Sequence, residues 1–442
     1  MKPVVVRAIT GFLELSSSDF DHDGNKESAT LLAKKVRTCA SFLKKVQHEF
    51  EQQGYIVQTL RLATNPFGEW LLLDGNKAND DEDHGKGDNE KSQPYQSSII
   101  DRLKLLDTIL AMNEISFCSL GPAMTIQEAT SWCCQIVALS SRLSCSMNIK
   151  AGDVVAANAA ANIILDISKL GSLSVDAPQH VKDGLGNFQF CAASNCQPFI
   201  PFFPAAKSVS SSSSSGKGGE ALKFAIGLEN GPVIQSILAD TGSVGRIADH
   251  FSKQYSDMLL PLQDICNKVA SNSENAAAEF LGIDTSLNPS LAANGSIAAA
   301  LEALDEVEVF GGPGTTAATA QLTVALQSLP NIKLTGYCGV MLPVCEDQRL
   351  AELTLGGAKR KLRISDLLLI STVCGVGLDT IPLPGDCSVK AIASMILDVA
   401  GIAGRWNKSL SCRVLPVPGL HSGDMTRFDS PYLINAQVFS VD

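Results

Sequence analysis

The feature that most limits what this chain can fold into is an alternation. Short apolar, β-branched runs are each followed by a longer stretch with apolar residues at helical spacing. Residues 4–9 read as a strand, 26–53 as a helix closed by Gly54 and 55–62 as a second strand, which makes a βαβ unit. Further helices are expected at 97–113, 125–143, 156–170, 233–269, 295–304, 317–329, 364–373 and 388–400. Strands are expected at 115–120, 144–149, 188–192, 223–228, 282–286, 307–310, 333–340, 374–381, 412–417 and 436–441. Alternation kept up over 442 residues points to one α/β domain, a sheet or barrel, with ligand sites in the loops that follow the strands.

Two stretches break the rhythm. Residues 74–93 hold seven acids and three lysines, and Ala78 is their only apolar residue, so they cannot repay the entropy of ordering and read as a flexible acidic insert. Residues 208–219, a serine run ending in Gly-Lys-Gly-Gly, have linker composition. Seven acids less three lysines place −4 of the chain's net −11 in the first insert, so much of the acidity belongs to a loop. That balance argues against nucleic-acid backbones and anionic membranes as partners. The longest uncharged run, 311–332, is broken by Gly, Pro, Thr, Gln, Ser and Asn and falls short of a membrane span. The first twenty residues lack the long apolar stretch and cleavage site of a secretory signal. Thirteen cysteines in so long a chain are too sparse for a disulfide scaffold, and a reducing, cytoplasmic setting is expected.

Several polar groups interrupt apolar runs where an α/β fold would place a ligand. Asp379, in Cys374-Gly-Val-Gly-Leu-Asp379, is a carboxylate in an apolar segment that needs a partner; it reads as a general base, a ligand anchor or a structural cap. Cys374 beside small residues reads as a nucleophile or a buried thiol. Asp284, Ser286 and Asn288 alternate at a strand end closed by Pro289, and Arg61 and Asn148 occupy similar strand-end clusters. Gly311 to Thr316 reads as a glycine turn between a strand and a helix, where the backbone N–H groups of Gly312, Gly314, Thr315 and Thr316 would seat an anion. It lacks the Lys of a phosphate-binding loop and the spacing of a dinucleotide fingerprint. The six histidines show no metal spacing and there is no Cys-x-x-Cys, so neither a metal nor a cofactor is expected. Asp19 to Gly24 imitates the start of a calcium loop, but Thr30 stands where the closing Glu belongs.

A set of motifs recurs in a familiar order: Arg7-Ala-Ile-Thr10, Arg61 with Thr64 and Pro66, Cys145-Ser-Met-Asn148, Pro198-Phe199, Glu229-Asn-Gly-Pro232, Ile283 to Pro289, Gly314 to Ala318, Cys374 to Asp379 and Gly423-Asp424-Met425. Together they resemble the domain-of-unknown-function family numbered 711, over nearly the whole chain apart from the two inserts. The resemblance implies a ten-stranded α/β barrel similar to pyruvate formate-lyase, and it brings Arg7 and Asp424 into the candidate ligand-binding set. Radical chemistry is not carried over, because the region from Cys412 reads Cys-Arg-Val-Leu-Pro-Val-Pro-Gly without a glycine-tyrosine pair. Residues 198–206 also depart from relatives that have a histidine after Pro-Phe, which marks a divergent branch.

The functional expectation is a non-radical enzyme acting at the barrel mouth on a small carbonyl or carboxylate compound, of lyase, cyclase, isomerase or hydrolase type. Asp379 and Asp284 would handle protons and Cys374 would serve as nucleophile or wall. The alternative is a regulatory protein that binds an anionic metabolite without turnover. Self-association stays open.

Overall fold

Among the residues that the computed structural model describes (4–20, 31–72, 89–210, 221–272, 277–356 and 360–441), ten strands form one mixed sheet. They are β1 (Val5–Leu13), β2 (Ile56–Val57), β3 (Leu60–Thr64), β4 (Phe117–Ala123), β5 (Leu143–Asn148), β6 (Phe190–Ser194), β7 (Leu222–Glu229), β8 (Ala278–Asp284), β9 (Gly377–Pro384) and β10 (Leu410–Val417). The helices are α1 (Leu31–Gln52), α2 (Asn89–Met112), α3 (Ile126–Leu139), α4 (Val154–Lys169), α5 (Gly231–Thr241), α6 (Ser252–Ser271), α7 (Ile297–Leu301), α8 (Thr315–Leu326), α9 (Gln348–Thr354), α10 (Ile364–Ser371) and α11 (Val389–Trp406). The strand order is β8-β7-β1-β3-β4-β5-β6-β10-β9, with β2 paired to β1. Strands β1 to β6 run one way, while β7, β8, β9 and β10 run the other.

The elements follow from their residues. On α1, Leu32, Val36, Cys39, Leu43, Val46 and Phe50 recur at three- and four-residue spacing and are all buried, and the chain turns away at Gly54, where φ is +82°. Thr125 and Glu128 close a capping box at the start of α3, and Asp153 caps α4 through the Ala156 N–H. The stretch Val154–Ser172 is long and apolar enough to cross a membrane by length and composition, yet half of it is buried in the body of the protein.

Segment 199–208 crosses the other face of the sheet from α1. Thr10 Oγ1 donates to Pro201 O at 2.8 Å, Ser119 Oγ lies 2.7 Å from Ala206 O, and the Ser208 N–H donates to Thr64 O. Within it, Ile200, Phe202, Ala205 and Ala206 are buried. Position 227 on β7 must be glycine for this packing, since a Cβ there would stand 2.4 Å from Phe202 Cζ.

Several expectations change. The hydrogen-bonded path ends at β8 and β9 without closing, so an open, mixed α/β sheet stands where a ten-stranded barrel was expected. Segment 333–343 touches both edges through single parallel bridges, Ile283 to Leu334, Leu287 to Val340 and Pro343 to Asp379. Residues 307–310 are turns: Val307 and Phe310 reach the core from a bend held by the Glu302 carboxylate on the Phe310 N–H, so their alternation needs no partner strand. Residues 436–441 make only one bridge, Met425 to Gln437. The helix expected over 233–269 divides at Gly242, where φ is +71°. Residues 89–93, the end of the expected acidic insert, begin α2, whereas 74–88 lie outside the described residues, as do 211–219 of the serine stretch. Asp21 to Gly24 of the calcium-like loop also lie outside them, and Asp19 pairs with Lys35 at 2.8 Å.

Candidate functional site

Two irregularities in the sheet aim charged side chains into one cavity. Between β1 and β7 the pairing steps from Val6–Leu228 to Ala8–Gly227, which leaves Arg7 as an extra residue in a β-bulge. Between β10 and β9 it steps from Cys412–Leu378 to Val414–Ile381, so Asp379 and Thr380 together oppose Arg413. Thr380 is held at φ +45°, a strained setting for a β-branched residue, and its hydroxyl accepts from the Cys345 N–H at 3.2 Å. That bond and the Pro343–Asp379 bridge place Glu346 beside both bulges.

The result is a chain of charges. Arg7 Nη2 donates to Glu346 Oε2 at 2.6 Å, and its Nη1 lies 3.5 Å from Glu229. Arg413 Nη2 donates to Glu346 Oε1 at 3.0 Å and its Nε to Asp379 Oδ1 at 2.5 Å. Both oxygens of Glu346 are therefore occupied, while Asp379, which spends Oδ1 on Arg413, lines a cavity shared with Arg7, Arg61 and Arg413. Burial pushes the Asp379 carboxyl above the usual carboxylate range; Arg413 pulls it down, and Glu346 pushes it further up. The same two acids hold the Arg413 guanidinium above its ordinary value, against the effect of burial.

Arg61, on β3, differs from the other two arginines. Its side chain is 5% exposed, and among the described residues its one hydrogen bond runs from Nε to Thr59 Oγ1 at 2.8 Å. Among the described residues no carboxylate pairs with it and its terminal nitrogens meet no acceptor. Burial, then repulsion from Arg7, pulls it down to about 9, so it remains a cation at neutral pH. Aromatic faces compensate in part: its guanidinium lies 4.9 Å from the Phe203 ring and 5.3 Å from Phe117. Those two rings belong to a closed circuit of four. Phe117 to Phe203 is 4.6 Å, Phe203 to Phe188 5.3 Å, Phe188 to Tyr432 5.9 Å and Tyr432 to Phe117 5.6 Å.

Of the residues singled out in sequence, Arg7, Arg61, Asn288 and Asp379 line this cavity. Asn288 is fixed by its own donation to Leu228 O at 3.0 Å. The others lie elsewhere. Asp284 is fully buried and accepts from the Ser286 N–H, the Ser286 hydroxyl and the N–H groups of Tyr337 and Cys338. Ser286 is spent in that network and on the Gly339 N–H. Cys374 is buried with its thiol 2.7 Å from Val340 O, and burial raises it above the ordinary thiol range. Asn148 donates to Met124 Sδ at 3.5 Å. Gly312, Gly314, Thr315 and Thr316 form the turn into α8, where the Thr315 hydroxyl accepts from the Gly311 N–H; none of them lines the Arg61 cavity. Asp424 is exposed and caps the His421 N–H at 2.8 Å. Sequence reasoning did not select Arg413 or Glu346. Arg413 does leave a signal, as the one charge in the wholly buried strand Leu-Ser-Cys-Arg-Val-Leu-Pro-Val.

A family model described as "Uncharacterised ACR (DUF711)" matches residues 1–430. The chain is 37% identical over 149 residues to a UPF0210 protein of Desulforudis audaxviator, 33% of this chain and 32% of that protein. It is 29% identical over 255 residues to one of Carboxydothermus hydrogenoformans, covering 56% and 53%. With one of Syntrophotalea carbinolica it shares 28% over 302 residues, 66% and 62%. The matched stretch thus spans about a third to three-fifths of these relatives' lengths.

Proposed function

Because this chain belongs to the DUF711 family, whose relatives' shared name, UPF0210 protein, specifies no activity, we propose a function from the cavity's own chemistry. It binds a small carboxylate-bearing metabolite on Arg61 and acts on it by acid–base chemistry through Asp379, without radical steps. The observation that carries this reading is the unpaired Arg61. A cation 5% exposed and without a carboxylate is costly to keep, and an incoming anion supplies the missing partner. Asp379 in its protonated form would donate a proton to a carbonyl or leaving oxygen, the role suited to a carboxyl raised by burial.

A second reading is binding without turnover, as in a metabolite-responsive regulator. It is favoured by the Arg7–Glu346–Arg413–Asp379 chain, which fixes these groups in a manner suited to holding a ligand. We also propose that segment 333–343 closes the sheet into a ten-stranded barrel of the pyruvate formate-lyase type. Its three bridges to the two edges support this. A cytoplasmic setting suits thirteen free cysteines, all but Cys134 buried.

The test is a thermal-shift screen of amino acids, keto acids and hydroxy acids, followed by mass spectrometry of the incubated mixture. A ligand consumed supports the enzyme, and one bound but unchanged supports the regulator. If Arg61→Met binds the same acids as tightly as the unaltered chain, the cavity is not their site.

A further inference from the structure

A second cavity, of about 810 Å³ with its open mouth included, meets the first at Phe188. Leu185 forms part of it, with Gln179 and His180 toward its rim; its Phe117, Phe188 and Tyr432 also line a third space, which shares Arg7, Arg61, Phe188 and Phe203 with the first cavity. Three of the four rings in the circuit are therefore walls of both the second cavity and this third space beside Arg61. Tyr432 is 41% exposed, so the boundary it forms is not sealed in the core. A carboxylate seated on Arg61 sends its next atoms past aromatic faces. Most of the wall that the second cavity presents is apolar, so apolar substituents there gain by leaving water.

We propose that the ligand is a carboxylate bearing an apolar or aromatic group, with the carboxylate on Arg61 and that group in the cavity behind Phe117, Phe188 and Tyr432. This rests on the reading of Arg61 as the anion site and adds the substrate class to it. The paired arginines explain why one carboxylate suffices. Arg7 and Arg413 already share Glu346, so a second anionic group on the ligand would meet occupied guanidiniums.

Isothermal titration calorimetry of the full chain with acetate, butyrate, 3-phenylpropionate and 3-phenylpropionamide tests both layers separately. Affinity is expected to rise at least about tenfold from acetate to 3-phenylpropionate, from the apolar area removed from water. The amide is expected to bind at least about tenfold more weakly than the acid, for want of a charge. Leu185→Trp fills the second cavity and should bring the phenylpropionate-to-acetate ratio within about threefold. Gln179→Trp, at the exposed rim, should act in the same way and serves if Leu185→Trp does not fold. Acetate and phenylpropionate binding alike in the unaltered chain, or a ratio that survives in whichever tryptophan variant folds, overturns the proposal while leaving Arg61 as an anion site. Acid and amide binding alike, or no binding by any of the four, overturns the Arg61 reading and this one with it.

Discussion

Asp284 at the end of β8 and Asp379 near the start of β9 are both aspartates in apolar strands, and burial pushes both above the usual carboxylate range. Their partners divide them. Asp284 meets only neutral donors, three backbone N–H groups and a hydroxyl, all from 286 and 337–338. Asp379 meets a guanidinium on one oxygen and lines the cavity. The first carboxylate is used up in fixing a loop, and even Gly336 beside it has no room for a Cβ, which would lie 2.2 Å from Asp284 Oδ2. The second has capacity left. A buried carboxylate is thus a functional candidate when its hydrogen-bonding capacity is unfilled, which neither its burial nor its position in the strand reveals.

The sharpest way to break this contrast is to remove each group. Asp284→Ala should cost on the order of 3–5 kcal/mol in urea unfolding, since several buried donors lose their acceptor at once. Asp379→Asn should cost only about 1–2 kcal/mol, because Arg413 keeps Glu346, and it should abolish turnover of any substrate found. Equal costs for the two would erase the distinction.

Arg61→Met comes next, with the sign reversed between its two readouts. Carboxylate affinity should fall about a hundredfold by calorimetry, while stability changes by less than about 1 kcal/mol or rises, as expected on removing an unpaired buried charge. A loss above about 2 kcal/mol would mean that the guanidinium has a structural partner.

The pH dependence is smaller. A carboxyl raised on folding binds more protons in the native state than in the unfolded one, so its contribution falls as pH rises from the unfolded value toward the raised one. The slope for one such group is at most about 1.4 kcal/mol per pH unit. Melting temperatures between pH 4 and 7 should therefore decline less steeply in Asp379→Asn than in the unaltered chain. A steeper decline would contradict the assigned direction. Smallest of all, Asn148→Ala and Asp424→Ala should each shift stability by no more than about 0.5 kcal/mol and leave carboxylate binding unchanged. A binding loss in either would extend the site beyond the cavity.

Much of the fold could be read along the chain. Strands β1, β5, β7 and β10 fall close to the apolar runs that announce them, because strands buried on both faces must be apolar throughout. The misreadings share a cause. Residues 307–310 and 436–441 have strand composition without a strand partner, since apolar side chains can reach a core from turns. At the site, Arg61, Asn288 and Asp379 were legible as polar residues at strand ends or in apolar runs, and Arg7 entered through the family resemblance. Glu346 was not, because it sits in a short turn beside Asp347, and Asp347 spends its carboxylate on the Ser296 hydroxyl and the start of α7. Adjacent acids with opposite uses look alike in a linear string.

The sequence by itself determined the α/β class, the helix stop at Gly54, and the list of charged residues in apolar strands that had to find partners. Those are consequences of local conformational preference and of burial, which act residue by residue. Only the tertiary structure decided which charges met. Arg7, Asp379 and Arg413 lie hundreds of residues apart in part and converge because two β-bulges shift the register at the places they occupy. Register is a property of paired strands, and it leaves Arg61, of the three arginines at the cavity, with no carboxylate among the described residues.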